Sequence, residues 1–561
     1  MSEQQRVFLA VGLCLGILLL WQWMTPKPPK SVGQPRPPVT SPQGPRPDDG
    51  EPSTVTPNDA ASTKTATAGG DMASEKTPES IPYIPESRRH FETKQFTGEL
   101  SNRNASLTRL ELNTYNERPL DKSSPVLPVS LVNVDVNDSG TPRQARILWD
   151  LGNVEPPRLD WTETDKGFAL AGKTPDGVET RVQITPRDDV YALDYVLAVD
   201  NGSDKALPVG VSVELSLNPI KAKKPTLIDT FAPPVGRLQG ACSIGGDVER
   251  EDPEDLEEDG NWKSPSPVEW VGIDRQYFIV ALVPTEPVTG SCEMSAETSP
   301  SGSVLTVTFG FESQAVRPGA TWERRFTLYM GPKRDKNLAE VSSKLPDVID
   351  YSWGIPLGFI ARPMVFLLNA FQGFTGSWGV AIMLLTLLVK LLLFPVTYKS
   401  MLSMRRMQLL KPELDKLKKQ FEGDRERQQM EQMKLFKEKG VNPLGGCLPM
   451  LMQMPIWVAL YRTLWSAVDL YQQEFLWLGD LTATEPYPVM AFLVGGLMFL
   501  QQRMSPTTTD SQQAKMMMYM MPVMITFFML GMPSGLVLYI MTNSVLTIFQ
   551  QMAINRRTAT L

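Results

Sequence analysis

Trp378-Gly-Val-Ala-Ile-Met-Leu-Leu-Thr-Leu-Leu-Val-Lys-Leu-Leu-Leu-Phe-Pro-Val-Thr-Tyr398 carries no charge apart from Lys390. At about 1.5 Å per residue such a run crosses the roughly 30 Å of a bilayer's hydrocarbon as one helix. A charge inside hydrocarbon costs about 2.5–3.5 kcal/mol on insertion scales. Two readings of Lys390 follow. In one it faces water, a partner or a substrate path; in the other it snorkels toward the headgroups from about 12 Å inside Tyr398.

Working outward, the apolar runs of the 561-residue chain cluster at its beginning and after residue 350. Residues 7–23 are uncharged and apolar, and Trp21-Gln-Trp23 is no small-x-small cleavage site, so 1–24 reads as an uncleaved transmembrane anchor. Cys14 lacks the small residue that lipidation needs upstream of it. Thirteen prolines between Pro26 and Pro82 make 25–84 a semi-extended linker.

Residues 85–345 alternate apolar and polar residues in short runs, near 107–112, 181–185, 191–199, 209–217, 277–283, 304–311 and 322–329, with turns such as Pro175-Asp-Gly177 between them. That pattern predicts an all-β sandwich. The acidic stretch 247–259 reads as a solvated loop. Gly167-Phe-Ala-Leu-Ala-Gly-Lys-Thr174 matches the phosphate-loop pattern letter for letter, but a turn follows where a helix has to start. It predicts a β-hairpin and no nucleotide.

Residues 350–373, broken by Pro356, Arg362 and Pro363, predict an amphipathic helix lying on a membrane surface. A five-span core over 376–556 follows, its spans near 377–398, 446–466, 486–502, 516–532 and 535–554. Inside it, 399–441 predicts a helical hairpin: Met407, Leu410, Leu414, Leu417 and Phe421 repeat at three and four, and Glu422-Gly-Asp424 turns the chain.

Charge orients these pieces. Residues 399–440 hold twelve Lys or Arg, whereas 467–485 holds none and carries Asp469, Glu474, Asp480 and Glu485. The positive-inside rule puts the hairpin and both termini in the cytoplasm and the β-domain outside. Cys242 and Cys292 then lie in an oxidising space, where their pairing stays open. One histidine, His90, argues against histidine-based metal sites and Ser-His-Asp catalysis, and no cofactor is expected.

Three segments carry a resemblance: Asn442-Pro-Leu-Gly-Gly-Cys-Leu-Pro449 with Gln453-Met-Pro455, Met504-Ser-Pro-Thr-Thr-Thr-Asp510, and Pro533-Ser-Gly-Leu-Val-Leu-Tyr539. Together they resemble the YidC/Oxa family of membrane protein insertases. Trp270-Val-Gly and Gln276-Tyr-Phe278 match its long Gram-negative form. The resemblance implies a polytopic α-helical protein of six spans in the bacterial inner membrane, with a large periplasmic all-β supersandwich domain, similar to sugar-mutarotase folds, and a cytoplasmic helical hairpin. It implies insertion and chaperoning of membrane proteins rather than enzymatic turnover. Lys390 takes the family's basic groove position, usually Arg; Gln453 and Tyr539 match groove residues, and Thr386 and Asn543 join them. The partners implied are nascent membrane proteins, the Sec translocon (SecYEG with SecDF), the ribosome and the signal recognition particle receptor through the hairpin, and the lipid bilayer, with no nucleotide. Methionines such as Met516-Met-Met518 and Met520-Met521 suit a surface that meets many helices, or serve as lipid-facing filler. The other reading is a secondary transporter or channel using Lys390, against which stands the lack of an internal repeat.

Overall fold

The computed structural model describes residues 84–117, 127–133, 145–164, 166–217, 238–264, 267–299, 302–350, 358–441, 448–504 and 512–558. The expected anchor 1–24, all but the end of the linker, and most of the segments 442–449 and 504–510 lie outside the described residues.

Three antiparallel sheets build the first half. One holds Arg88–Glu92, Phe96–Ser101, Ser106–Asn116 and Pro128–Asn133 in chain order. A second runs Trp262–Ser264, Gly290–Ser299, Gly302–Val316, Leu207–Leu217, Arg146–Asp150. The third, of nine strands, runs Asp247–Glu251, Leu238–Ile244, Trp270–Arg275, Phe278–Pro284, Thr321–Pro332, Ala192–Asn201, Val178–Pro186, Phe168–Lys173, Asp160–Thr162. Alternation decides the buried face. Along Val178–Pro186, Val178, Thr180, Val182 and Ile184 are buried while Arg181 and Gln183 face out. Gly240 of the nine-stranded sheet leaves room for Met294 and Val307 of the five-stranded one, the close approach of a sandwich. Beside it, Cys242 and Cys292 form a disulfide with Cα atoms 6.5 Å apart, so the pairing left open in the sequence joins the two sheets.

The decoy phosphate-loop segment is the strand Phe168–Lys173, paired antiparallel with Val178–Pro186. The acidic stretch 247–259 is not a loop. It forms the edge strand Asp247–Glu251 and the helix Pro253–Asp259, because Leu256 inserts into the core at 3% exposure while the carboxylates stay outside.

The second half is helical. Helix α1, Gly358–Thr375, turns Ala361, Met364 and Leu368 inward at three- and four-residue spacing. Its other side exposes Phe359, Phe366 and Phe374. Helix α2, Trp378–Leu409, continues past the end expected at 398. Helices α3, Lys411–Gln420, and α4, Arg425–Glu438, follow, with Asp424 Oδ1 accepting from the Arg427 amide at 3.0 Å as the N-cap of α4. Leu410, Leu414, Phe436 and Val441 bury a small core of their own. Then come α5, Leu448–Ser466; α6, Val489–Met504; α7, Gln512–Met529; and α8, Ser534–Thr558. Among the described residues, Trp378–Met407 and Ser534–Ile554 are long and apolar enough to cross a membrane; Val489–Met504 and Tyr519–Met529 are shorter apolar helices.

Residues 467–488, between α5 and α6, tie the halves together. Tyr471 belongs to the β-domain's core cluster and lies 6% exposed. Its ring meets those of Tyr115, Tyr277 and Phe278 at centroid distances of 6.3, 5.1 and 5.7 Å, and its hydroxyl donates to the Asn116 carbonyl at 2.7 Å. Arg334 pairs with Asp469 at 2.6 Å, and Gln276 Nε2 donates to the Trp465 carbonyl at 3.3 Å. On its other side the segment docks on α8: the Gly535 amide donates to the Leu481 carbonyl at 2.8 Å, and a Cβ at Gly535 would stand 2.9 Å from that oxygen. Phe475 fills the notch at Gly379, near the start of α2.

A buried ion pair closes the end of the sandwich. Lys333 Nζ reaches Asp274 Oδ1 at 2.7 Å, both side chains 8% exposed, and Arg250 Nε lies 3.5 Å from the same carboxylate. Burial pulls the Lys333 ammonium below its usual range, and Asp274 only partly offsets that. Asp274→Asn leaves two cations without their counter-charge and is expected to cost about 3–5 kcal/mol at neutral pH. A lysine whose folded pKa is depressed holds fewer protons folded than unfolded, so stability rises with pH up to the unfolded value near 10.5. The deficit of the Asn variant therefore shrinks as pH rises from neutral toward that value, as the uncompensated lysine sheds its proton. Thermal melting of both proteins across that range is the check, and a constant deficit would contradict it.

Candidate functional site

Helix periodicity builds one polar stripe on α8. Tyr539, Asn543 and Thr547 stand four residues apart, so they share a face. That face meets Lys390 of α2 and Gln453 of α5. Lys390 Nζ donates to Thr547 Oγ1 at 2.9 Å. Thr547 Oγ1 in turn donates to the Asn543 carbonyl at 2.6 Å, which fixes its rotamer toward the lysine. Gln453 Nε2 donates to the Tyr539 hydroxyl at 2.7 Å, with Tyr539 only 2% exposed.

The five expected residues therefore divide. Lys390, Gln453, Tyr539 and Asn543 line the contact of α2, α5 and α8. Thr386 stands one turn before Lys390 but is 1% exposed, and its hydroxyl is spent on the Ile382 carbonyl at 2.7 Å. Thr547 was not singled out from the sequence. Its signal was there, as the third member of the Tyr539–Asn543 spacing, but its partner lies 157 residues away in the chain.

Lys390 is half-buried and meets no carboxylate among the described residues, so its charge is shared with a neutral hydroxyl rather than cancelled. Asn543 Oδ1 and Gln550 Nε2 on α8, and Gln502 Oε1 on α6, are buried with no hydrogen-bond partner among the described residues. Such a group in a dry apolar site costs about 1–3 kcal/mol, so the surroundings of Asn543 suit water or a polar chain. Close packing comes from small residues: Gly495 on α6 leaves room for the Thr526 hydroxyl of α7. Of the methionine cluster, Met520 is exposed; the side chains of 516–518 lie outside the described residues.

Apolar helices around a half-buried lysine and amide side chains, beside a β-sandwich, fit an integral membrane protein. No group of three or more His, Cys, Asp or Glu residues able to hold a metal occurs among the described residues. Residues 370–560 match the family model for the 60Kd inner membrane protein, and 88–367 match the YidC periplasmic domain. The membrane protein insertase YidC of Anaeromyxobacter dehalogenans is 33% identical over 98% of this chain and 96% of its own length. That of another Anaeromyxobacter species is 41% identical over 58% of each chain. A crystal structure of an active YidC insertase with its first transmembrane domain resolved is 18% identical, covers 84% of this chain and 94% of that one, and has a TM-score of 0.37. The chain belongs to the YidC family of membrane protein insertases. Its activity is insertion, not an enzymatic reaction, and its place is the inner membrane. The transporter reading falls with that membership.

The Lys390–Thr547 contact is open to direct measurement. Thr547→Val keeps the shape of the side chain but removes the acceptor, so Lys390 is released. Amine-reactive labelling of Lys390 in the purified protein is expected to rise at least threefold, while Thr547→Ser stays at the wild-type rate. Equal labelling of all three proteins would remove Thr547 as the anchor.

Proposed function

We propose that Lys390, with Gln453, Tyr539 and Asn543, and Thr386 as a buried support, lines a hydrophilic groove that receives the polar part of an incoming membrane protein. The observation that carries this reading is the half-buried ammonium of Lys390, held by Thr547 and neutralised by no carboxylate among the described residues. An acidic segment supplies the missing counter-charge, and the orphaned amides supply hydrogen bonds for its backbone. The cost of carrying polar chain partway across falls, and the substrate's apolar helix then leaves into lipid.

The topology that fits is six spans: the anchor 1–24 and the five-span core 376–556. In this arrangement the linker 25–84 and the β-domain 85–345 are periplasmic, helix 350–373 lies at the interface, and both termini and the hairpin 399–441 are cytoplasmic. Three observations support it. The basic residues are concentrated in 399–440 and absent from 467–485. Tyr471 in that acidic loop packs into the β-domain. Phe475 of the same loop meets Gly379, so the beginning of α2 lies near the β-domain and its end leads to the hairpin. The twelve basic residues of the hairpin region suit docking of ribosomal RNA phosphate or of an acidic receptor such as that of the signal recognition particle. The Sec translocon is the expected companion for larger substrates.

In a strain depleted of its own insertase, Lys390→Arg is expected to support growth, because charge is kept. Lys390→Leu should fold, since an apolar residue removes the burial cost, yet insert substrates with acidic translocated tails at least fivefold less well. Protease protection of a tailed substrate reads the effect, and full activity of the Leu variant would refute the electrostatic groove. Replacing 418–428 with a short glycine linker should slow co-translational insertion severalfold without lowering the melting temperature of the core. Unchanged kinetics would take the docking role away from the hairpin.

A further inference from the structure

A cavity of ≈460 Å³ lies where the last strand of the β-domain meets α1 and the end of α5. Its charged groups are in two states. Arg334 is spent on Asp469, and Lys333 on Asp274. Lys336 and Asp335, adjacent in the chain and both exposed, form no ion pair among the described residues. Asn369 of α1 adds an exposed amide, and Thr463 of α5 adds a hydroxyl that is 0% exposed and has no hydrogen-bond partner among the described residues. Ile349 and Val365 form apolar wall.

We propose that this cavity is a headgroup pocket for a zwitterionic glycerophospholipid of the phosphoethanolamine kind. A simple anion would meet Lys336 but also Asp335 and Asp469, and a simple cation would meet the reverse. A neutral ligand bearing both charges satisfies both, with its phosphate toward the Lys336 ammonium and the Asn369 amide and its amine toward the Asp335 carboxylate. The unpaired Thr463 hydroxyl gains a partner from the same phosphate after a small side-chain adjustment. The volume falls in the range of small-ligand pockets. Helix α1 argues for a lipid over a soluble zwitterion. Val365 and Asn369 line the cavity, while the adjoining, outward side of the same helix presents Phe359, Phe366 and Phe374 at 75%, 72% and 89% exposure, a stripe that acyl chains cover. The proposal thus rests on α1 lying at the membrane surface, as in the reading above, but not on the groove.

The test is native mass spectrometry of the purified full-length protein, exchanged out of its co-purified lipids and mixed with phosphatidylethanolamine, phosphatidylglycerol or soluble phosphoethanolamine. Phosphatidylethanolamine should be retained at least fivefold over phosphatidylglycerol. The double change Lys336→Glu with Asn369→Leu should lower that retention at least fivefold. So should Ala339→Trp, which fills the cavity without altering charge, and melting temperatures establish that each variant is folded. Equal retention of the two lipids, or retention unchanged in both variants, overturns the pocket. Displacement of the lipid by an equal concentration of soluble phosphoethanolamine assigns the cavity to a soluble ligand and overturns the lipid. Insertion by Lys390→Leu, assayed alongside, separates the two readings: its failure together with absent lipid retention discards the pocket and keeps the groove.

Discussion

An ammonium group held between apolar helices has to be answered by something polar, and that requirement organises the helical half. Lys390 without a partner costs about 2.5–3.5 kcal/mol in hydrocarbon. Thr547 returns part of it through a charge-assisted hydrogen bond. For that bond to form, α8 has to keep a fixed rotation and height against α2. The beginning of α8 supplies them: the Ser534 hydroxyl donates to the Asp480 carbonyl at 2.8 Å, and the Gly535 amide donates to Leu481. Glycine at 535 is what lets the loop backbone come that close. A short polar segment far from the lysine thereby sets the register at which the lysine is held.

The two halves differ in how much of them the sequence displayed. The sandwich was legible because a period of two, repeated over many short runs, puts every second side chain inside. Composition misled at 247–259, where many carboxylates hid the one residue that matters to folding, Leu256. The Cys242–Cys292 link stayed open because it depends on which strands of two different sheets stack, and no local spacing records that. In the helical half, runs of apolar residues placed the helices to within a few residues except at the end of α2, which continues to Leu409, and the isolated charge drew attention to Lys390. Thr547 escaped because a threonine in an apolar helix looks ordinary until the facing helix is known. Thr386 shows the matching effect. One turn from the lysine, it appeared to be a neighbour, yet its hydroxyl serves its own helix.

The joint between the halves is the least local feature. Gln276, Tyr277 and Phe278 read in the sequence as marks of resemblance and the start of a strand, and here they form part of the surface that receives residues 465–471. Aromatic contacts of this kind contribute about 0.5–1.5 kcal/mol each beyond the area they bury. The Arg334–Asp469 pair adds charge complementarity at the edge. A sheet domain and a helical core with their own hydrophobic clusters thus meet at this short segment, and Arg462 of α5 adds a further tie by pairing with Asp350 at 2.8 Å.

Tyr471 also imposes an order on biogenesis. The strands around it are complete in sequence by residue 332, yet the ring that fills the space between Tyr115, Tyr277 and Phe278 is made more than a hundred residues later. Until α5 is in place and the following loop has emerged, the sandwich carries an uncovered aromatic socket. Closing that socket can only be a late event, so the sandwich receives its last core residue only after α1 to α5 have been made.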